Sequence, residues 1–216
     1  VSLDAFAAEP AVWRWPFAAS TDGAAARRDT AIRCASTERV GQAVSMIVRR
    51  ETPGDVAAAR AVQVAAFRQP DSDAEPVEAR LLDSLRDCDA WLPELTIVAE
   101  VGGSVVGHVV TTRGFVDDVP ALGLGPIGVL PSHQRQGVGL ALMHATVGAA
   151  DALGEALIAL LGSPDYYARF GFVPSARFEI EPPESSWGNY FQVRTLTSYR
   201  PQITGRFRYA SPFDDL

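Results

Sequence analysis

Cysteine is scarce in this chain: Cys34 and Cys88 are the only two in 216 residues, with no Cys-x-x-Cys pair and no histidines clustered beside them. That excludes a cysteine zinc site and a disulfide framework, and it fits a reducing cytosol, so a cytoplasmic location is expected. Long apolar runs are also missing. None approaches the roughly 18 residues a membrane span takes, and the first residues lack the basic start and apolar core of a secretory signal, so no membrane partner is expected. Excess positive charge is absent as well: the formal net charge is −7. A protein that binds nucleic acid without sequence preference displaces counterions with a basic surface, so nucleic acid is not an expected partner, whereas a cationic substrate is permitted. His133 and His144 have no acidic or cysteine partner at ligand spacing and read as loop and helix-surface residues, so no metal is expected. No Ser-His-Asp or Cys-His arrangement surrounds a nucleophile elbow, which removes the usual parts of an acyl-enzyme hydrolase.

What the chain does have is 47% hydrophobic and 21% charged residues, enough for one well-buried α/β domain with little left for a second. The first 45 residues read differently, with alanine clusters and with Trp13, Trp15 and Pro16 out of any periodicity, so no packed structure is expected there. Met46 stands directly before a strand-like run. Residues 1–45 are therefore expected to be an extension or a mis-assigned start, with the domain at 46–216; a docking or regulatory arm is the alternative.

Residues 125–139 carry the strongest local signal. Ile127, Val129 and Leu130 make a short apolar run that Pro131 stops, and Val138, Leu142, Ala145, Ala149 and Leu153 then recur at helical spacing. Gly137 and Gly139 fall in the first turn of that helix, where unpaired N–H groups and the peptide dipoles favour an anion and the missing Cβ lets a phosphate approach. Arg135 adds a planar cationic fork suited to phosphate oxygens. A nucleoside-triphosphate loop would need Gly-Lys-Ser/Thr, which is absent, and a dinucleotide fingerprint would need Gly or Ala where Leu142 stands.

A second motif lies at residues 162–172. After an apolar strand at 156–161, Ser163 can cap a short helix, Pro164 fits its first turn, Asp165 suits its dipole and Gly171 ends it. Gln134-Arg135-Gln136-Gly137-Val138-Gly139 resembles the Gln/Arg-x-x-Gly-x-Gly/Ala signature of the GNAT superfamily of N-acetyltransferases, and Tyr167 to Phe172 resembles that superfamily's Tyr-x-x-x-Gly-Phe. Leu124-Gly125-Pro126, Tyr166-Tyr167-Ala168-Arg169-Phe170-Gly171-Phe172 and Gly205-Arg206-Phe207-Arg208-Tyr209 look like its YhbS-like branch, over residues 46–213.

The resemblance implies a mixed α/β, mostly antiparallel sheet with helices on both faces and splayed fourth and fifth strands. It implies acetyl-coenzyme A as co-substrate, held by Ile127, Gly128, Val129, Arg135, Gln136, Gly137, Val138, Gly139 and Leu140. It implies acetyl transfer to a primary amine, on a small molecule or a protein, by direct attack; a non-catalytic acyl-coenzyme A module is the alternative. Tyr167 aligns with the family's general acid, and its usual pKa of about 10 keeps it protonated; Tyr166 is the fallback. Glu155, His108 and Asp165 are candidate bases, although a histidine inside an apolar strand is more often structural and Asp165 suits a helix start. Trp187, Tyr190 and Phe191 either cover the acceptor cleft or pack the sheet, the second being favoured. Homodimers are common among similar proteins.

The expected elements are a strand at 47–50, a helix at 53–67 opened by Thr52 as cap with Asp55 in its first turn, a helix at 75–88, and a hairpin of strands 95–101 and 105–112 around Gly102-Gly103. Strands follow at 121–130 and 156–161, then at 177–181, 191–196 and 207–209. Val77, Leu81, Leu82 and Leu85 are assigned to the buried face of the second helix. Proline cannot donate to a ladder, so Pro126 is expected to mark a bulge. In the family the coenzyme arm enters there, with the Val129 N–H near the thioester oxygen.

Overall fold

The computed structural model describes residues 45–69 and 73–215, so the expectation for residues 1–44 lies outside the described residues. β1 (Met46–Arg50) leads through a helical turn into α1 (Val56–Phe67), and α2 (Val77–Arg86) follows. The turn is opened as expected: the Thr52 N–H and hydroxyl donate to the Asp55 carboxylate at 2.8 and 2.6 Å. Leu81, Leu82 and Leu85 are buried on α2, whereas Val77, assigned to the same face, is 36% exposed because it is the first residue of the helix.

β2 (Ile97–Val101) and β3 (Ser104–Val116) form the hairpin around Gly102-Gly103, both with positive φ, and β3 turns through Asp117 into β4 (Val119–Val129). α3 (Val138–Ala152), β5 (Leu157–Leu161) and α4 (Pro164–Tyr167) complete the part with strong local signals. The short strands β6 (Val173–Pro174), β7 (Ile180–Glu181), β8 (Phe191–Thr195) and β9 (Gly205–Arg208) follow. The strand expected at 177–181 is reduced to β7. Ser175–Phe178 form a helical turn, and Glu179 takes a left-handed conformation before the chain extends.

The sheet order is β1-β2-β3-β4-β5-β8-β6, antiparallel except for the β4–β5 pair. β9 pairs with the tip of β3 and, in parallel, with β7. A clasp fixes it there: the Asp117 N–H donates to the Arg206 carbonyl and the Arg206 N–H to Asp117 Oδ1, each at 2.9 Å.

Helices cover both faces, and glycines mark where they come close. A Cβ on Gly107 of β3 would stand 2.7 Å from Val138 Cγ1 of α3; one on Gly128 of β4 would stand 2.6 Å from Gln63 Oε1 of α1, on the opposite face. The core between the sheet and α3 holds Leu122, Leu124, Ile127, Val129, Leu142, Met143, Ile158 and Leu160. On the other face, Phe191, Phe207, Leu157 and Ala159 form a second cluster that includes no residue of α1 to α4.

Candidate functional site

The bulge expected at Pro126 is present. β3 pairs Val109 with Ile127 and then Thr111 with Leu124, so β4 spends one residue more than β3 across Gly125 and Pro126. β4 and β5 pair only at Leu122↔Ile158 and Gly123↔Ala159, although β4 runs on to Val129 and β5 to Leu161. Beyond those two pairs the strands part and leave an opening.

Which backbone groups face that opening follows from the ladder. Leu130 N–H donates to the Val106 carbonyl at 2.9 Å, and Gly128 stands opposite His108. Antiparallel bonding alternates along a strand, so Gly128 and Leu130 bond toward β3 while Ile127 and Val129 turn their N–H and C=O groups into the opening. The Val129 carbonyl accepts from Gln134 Nε2 at 3.1 Å, and its N–H points into the gap. The side chains of Ile127 and Val129 are buried in the core, so these residues offer only backbone to a ligand.

At the same end of β4 stands the start of α3. Gly137, at φ 86°, is the residue before the helix, and a Cβ there would meet nothing within 4 Å. The first internal bond runs from Ala141 N–H to Gly137 O at 2.9 Å, so the N–H groups of Val138, Gly139 and Leu140 precede it and point outward. Val138 buries its side chain, whereas Leu140 is 46% exposed. Arg135, also at positive φ, and Gln136 are exposed, and the Gln136 amide turns back to the Ser132 carbonyl at 2.9 Å. Helix-start donors, with an exposed arginine two residues before Gly137, make a cradle suited to an anion.

Two tyrosines border the opening from α4. Tyr166 brings its hydroxyl oxygen to 3.1 Å from where a Cβ on Gly139 would be, at the mouth of the cradle. Tyr167 is buried, its ring against Gly162 at the end of β5 and at 4.9 and 5.9 Å from the Tyr166 and Phe172 ring centres. Burial raises the pKa of both phenols, that of Tyr167 far above its ordinary value, so Tyr167 is a protonated donor at neutral pH. Two side chains of β8 hold this turn: Gln192 Nε2 donates to the Gly162 carbonyl at 2.8 Å, and Arg194 donates to the Phe170 carbonyl. Sequence reasoning gave neither a role, since each acts on a backbone some 20 to 30 positions away.

The three candidate bases lie in other settings. Both carboxylate oxygens of Glu155 are held by Arg113, at 2.6 and 2.7 Å. It precedes β5 at the end of the sheet away from the opening, so its place is structural. His108 is fully buried and engaged at both ring nitrogens, with Gln63 Nε2 at 2.8 Å from Nδ1 and Glu51 Oε2 at 3.1 Å from Nε2. Burial lowers its pKa despite Glu51. Burial pushes the Glu51 carboxyl up, but His108 and Arg86 outweigh this and hold it below the usual range. Asp165 is exposed in the first turn of α4, as a helix-start charge would be.

On the face opposite α3 the floor is glycine. A Cβ on Gly123 would stand 2.6 Å from the Tyr209 ring, and one on Gly125 would have only Phe213 at 4.0 Å. Tyr209 and Phe213 have ring centres 4.6 Å apart. Trp187 packs on Phe191 and Tyr209 at 6.0 and 6.4 Å, the sheet-packing role, and Tyr190 is exposed. His133 lies in the exposed turn beside Ser132, and His144 is an exposed residue of α3 edge-on to Phe170. Among the described residues no group of three His, Cys, Asp or Glu is placed to hold a metal, and no helix is long and apolar enough to cross a membrane.

Residues 93–174 match the acetyltransferase (GNAT) domain. YjhQ, an uncharacterized N-acetyltransferase of Escherichia coli K12, is 31% identical over 144 residues, 62% of this chain and 79% of that protein. YhbS, an uncharacterized N-acetyltransferase of the same strain, is 28% identical over 172 residues, 78% of this chain and 99% of YhbS. Two crystal structures are similar. A GNAT family acetyltransferase from Brucella melitensis in complex with acetyl-CoA has TM-score 0.64 and 32% identity, covering 79% of this chain and 99% of its own. E. coli YhbS in complex with CoA has TM-score 0.71 and 26% identity, covering 82% of this chain and 96% of its own.

Proposed function

The chain belongs to the GNAT family of N-acetyltransferases, and on that premise we propose how its residues divide the work of moving an acetyl group from acetyl-coenzyme A to a primary amine. The residues present fit the coenzyme. The pyrophosphate lies on the N–H groups at the start of α3, from Gly137 to Leu140, with Arg135 and Gln136 beside it. The pantetheine arm occupies the opening between β4 and β5, bonded by the backbone of Ile127 and Val129 along the edge that β5 leaves unpaired. Gly128 keeps the strand flat against α1. The carrying observation is this opening, which places backbone donors and a helix start at one end of one strand.

In this arrangement the Val129 N–H faces the thioester carbonyl oxygen, and its bond strengthens as that oxygen gains negative charge. The amine nitrogen, once its ammonium proton has passed to water, attacks the carbonyl carbon from the glycine-floored face; the carbon–sulfur bond breaks, the departing sulfur takes a proton from the Tyr167 hydroxyl, and the proton the nitrogen then loses returns through water to restore the phenol. Burial keeps that phenol protonated at neutral pH, so a proton is in place when the sulfur leaves. Tyr166, whose hydroxyl stands at the cradle, is better suited to the coenzyme's phosphate end than to the sulfur. Residues 46–216 form the acetyltransferase domain in this reading, and the scarcity of cysteine supports a reducing compartment.

Calorimetric titration with acetyl-coenzyme A, coenzyme A, ATP and NAD tests the coenzyme assignment, followed by thiol release across an amine panel. Saturable binding of both coenzymes, with ATP and NAD refused, is the expected result; equal binding of all four would overturn it. The chain has no lysine, all 19 of its basic residues being arginine, so acetyl-lysine formed in such an assay reports the acceptor and not the enzyme.

A further inference from the structure

A primary amine arrives in neutral water as its ammonium ion, so a site that accepts one needs a counter-charge near its mouth. Most acids around α1 and α2 already have a cation. Asp55 is bound by Arg49 at 2.6 Å, Glu75 and Asp83 by Arg60 at 2.9 Å each, and Glu51 by Arg86 at 2.6 Å. Glu78 differs. It is half-buried on α2, and among the described residues no arginine or histidine pairs with its carboxylate.

Its position follows from the helices. α2 runs back along α1: Arg86 at its last turn reaches Glu51, which precedes α1, so the first turn of α2 lies toward the end of α1. That end is where Ala66 stands 3.1 Å from the Cβ position of Gly128. Glu78, Leu81, Leu82 and Leu85 share one face by helical spacing, and the three leucines pack with Val110, Ala210 and Phe213. Glu78 extends that face by one turn, and Phe213, which packs on the leucines, also comes within 4.0 Å of where a Cβ on Gly125 would be.

We propose that Glu78 receives the acceptor as its ammonium ion while Tyr209 and Phe213 flank its apolar body, which makes the acceptor a small cationic alkyl or arylalkyl amine. The inference rests on the acetyl-transfer reading and specifies its substrate class. A half-buried carboxylate that accepts from its own backbone N–H but has no paired cation is costly to keep charged, and a substrate cation offsets that cost. Burial also raises the Glu78 pKa, which the hydrogen bond from its own N–H offsets only in part.

The test is steady-state thiol release by the full chain with 2-phenylethylamine, a cation at neutral pH, and aniline, which is neutral there. Glu78→Gln should raise KM for 2-phenylethylamine about tenfold or more while leaving KM for aniline and for acetyl-coenzyme A unchanged, and Glu78→Asp should recover part of the loss. Equal effects on the two amines, or no effect on the cation, overturn the proposal. A second measurement needs no variant: benzyltrimethylammonium should compete with the amine on the wild-type enzyme at least about tenfold better than 2-phenylethanol, and equal potency overturns it. Refusal of 2-phenylethylamine by an enzyme that binds acetyl-coenzyme A also overturns it, whereas failure to bind acetyl-coenzyme A falls on the acetyl-transfer reading itself.

Discussion

The two sides of the β4–β5 opening are built from different materials. On the α3 side the working groups are backbone: helix-start N–H groups, the strand edge at Ile127 and Val129, and glycines that clear their approach. In the acceptor wall proposed for the other side they are side chains from segments far apart in the chain: Glu78 on α2, and Tyr209 and Phe213 after β9. A surface made of backbone keeps its chemistry while side chains around it change. A surface made of side chains can be rebuilt for another acceptor by a few substitutions.

The sharpest break of this comparison is on the backbone side. Gly137→Glu with Gly139→Glu puts two carboxylates into the anion cradle, and the first also forces a side chain onto a φ of 86°; acetyl-coenzyme A affinity should fall by about 100-fold or more in calorimetry. Tyr167→Phe comes next. It should lower kcat by roughly 10- to 100-fold in single-turnover thiol release and leave coenzyme affinity intact, while Tyr166→Phe should do the reverse by a smaller factor.

On the side-chain face, Gly123→Ala pushes a methyl into the Tyr209 ring and should cost about 1–3 kcal/mol in urea unfolding. A weaker effect is expected of pH. Burial depresses the His108 pKa, so the unfolded chain takes up the proton first; stability is full above about pH 6.5 and declines as the pH falls below it. Melting temperatures between pH 7 and 5.5 should show that slope and should lose it in His108→Gln. Glu155→Gln is expected to have the smallest effect, about 1 kcal/mol from the Arg113 pair with kcat unchanged; a large loss of kcat would return Glu155 to the reaction.

The same division explains what the sequence made legible. The Gly102-Gly103 hairpin, the Thr52/Asp55 cap, the helix after Gly137 and the Gly171 stop are written within a few residues, and the structure has each of them. The Pro126 bulge was legible because proline leaves a strand few alternatives. After Phe172 the strands at 191–196 and 207–209 were legible and stand as β8 and β9, whereas β6 and β7 were poorly legible, because they are two residues long and exist through those partners elsewhere in the chain. His108 looked like a candidate base because nothing nearby announces Gln63, 45 positions away, or Glu51, 57 positions away. The placing of Tyr209 over Gly123 had no local signal at all, although a glycine inside a strand hints that something approaches.

The Asp117 clasp joins residues 89 positions apart, Asp117 and Arg206, and it fastens the strand that leads to Tyr209 and Phe213. Contacts of such long range form late, because the intervening chain must be ordered before they repay its entropy. The coenzyme half, made of near neighbours in sequence, is therefore expected to form before the acceptor wall, an order that mutational effects on the folding rate would check. The same asymmetry persists in the folded protein as a difference in local opening: the edge beyond Gly205 is where hydrogen exchange should run ahead of the central strands, and an enzyme released from that clasp would still hold its coenzyme while losing its grip on the amine.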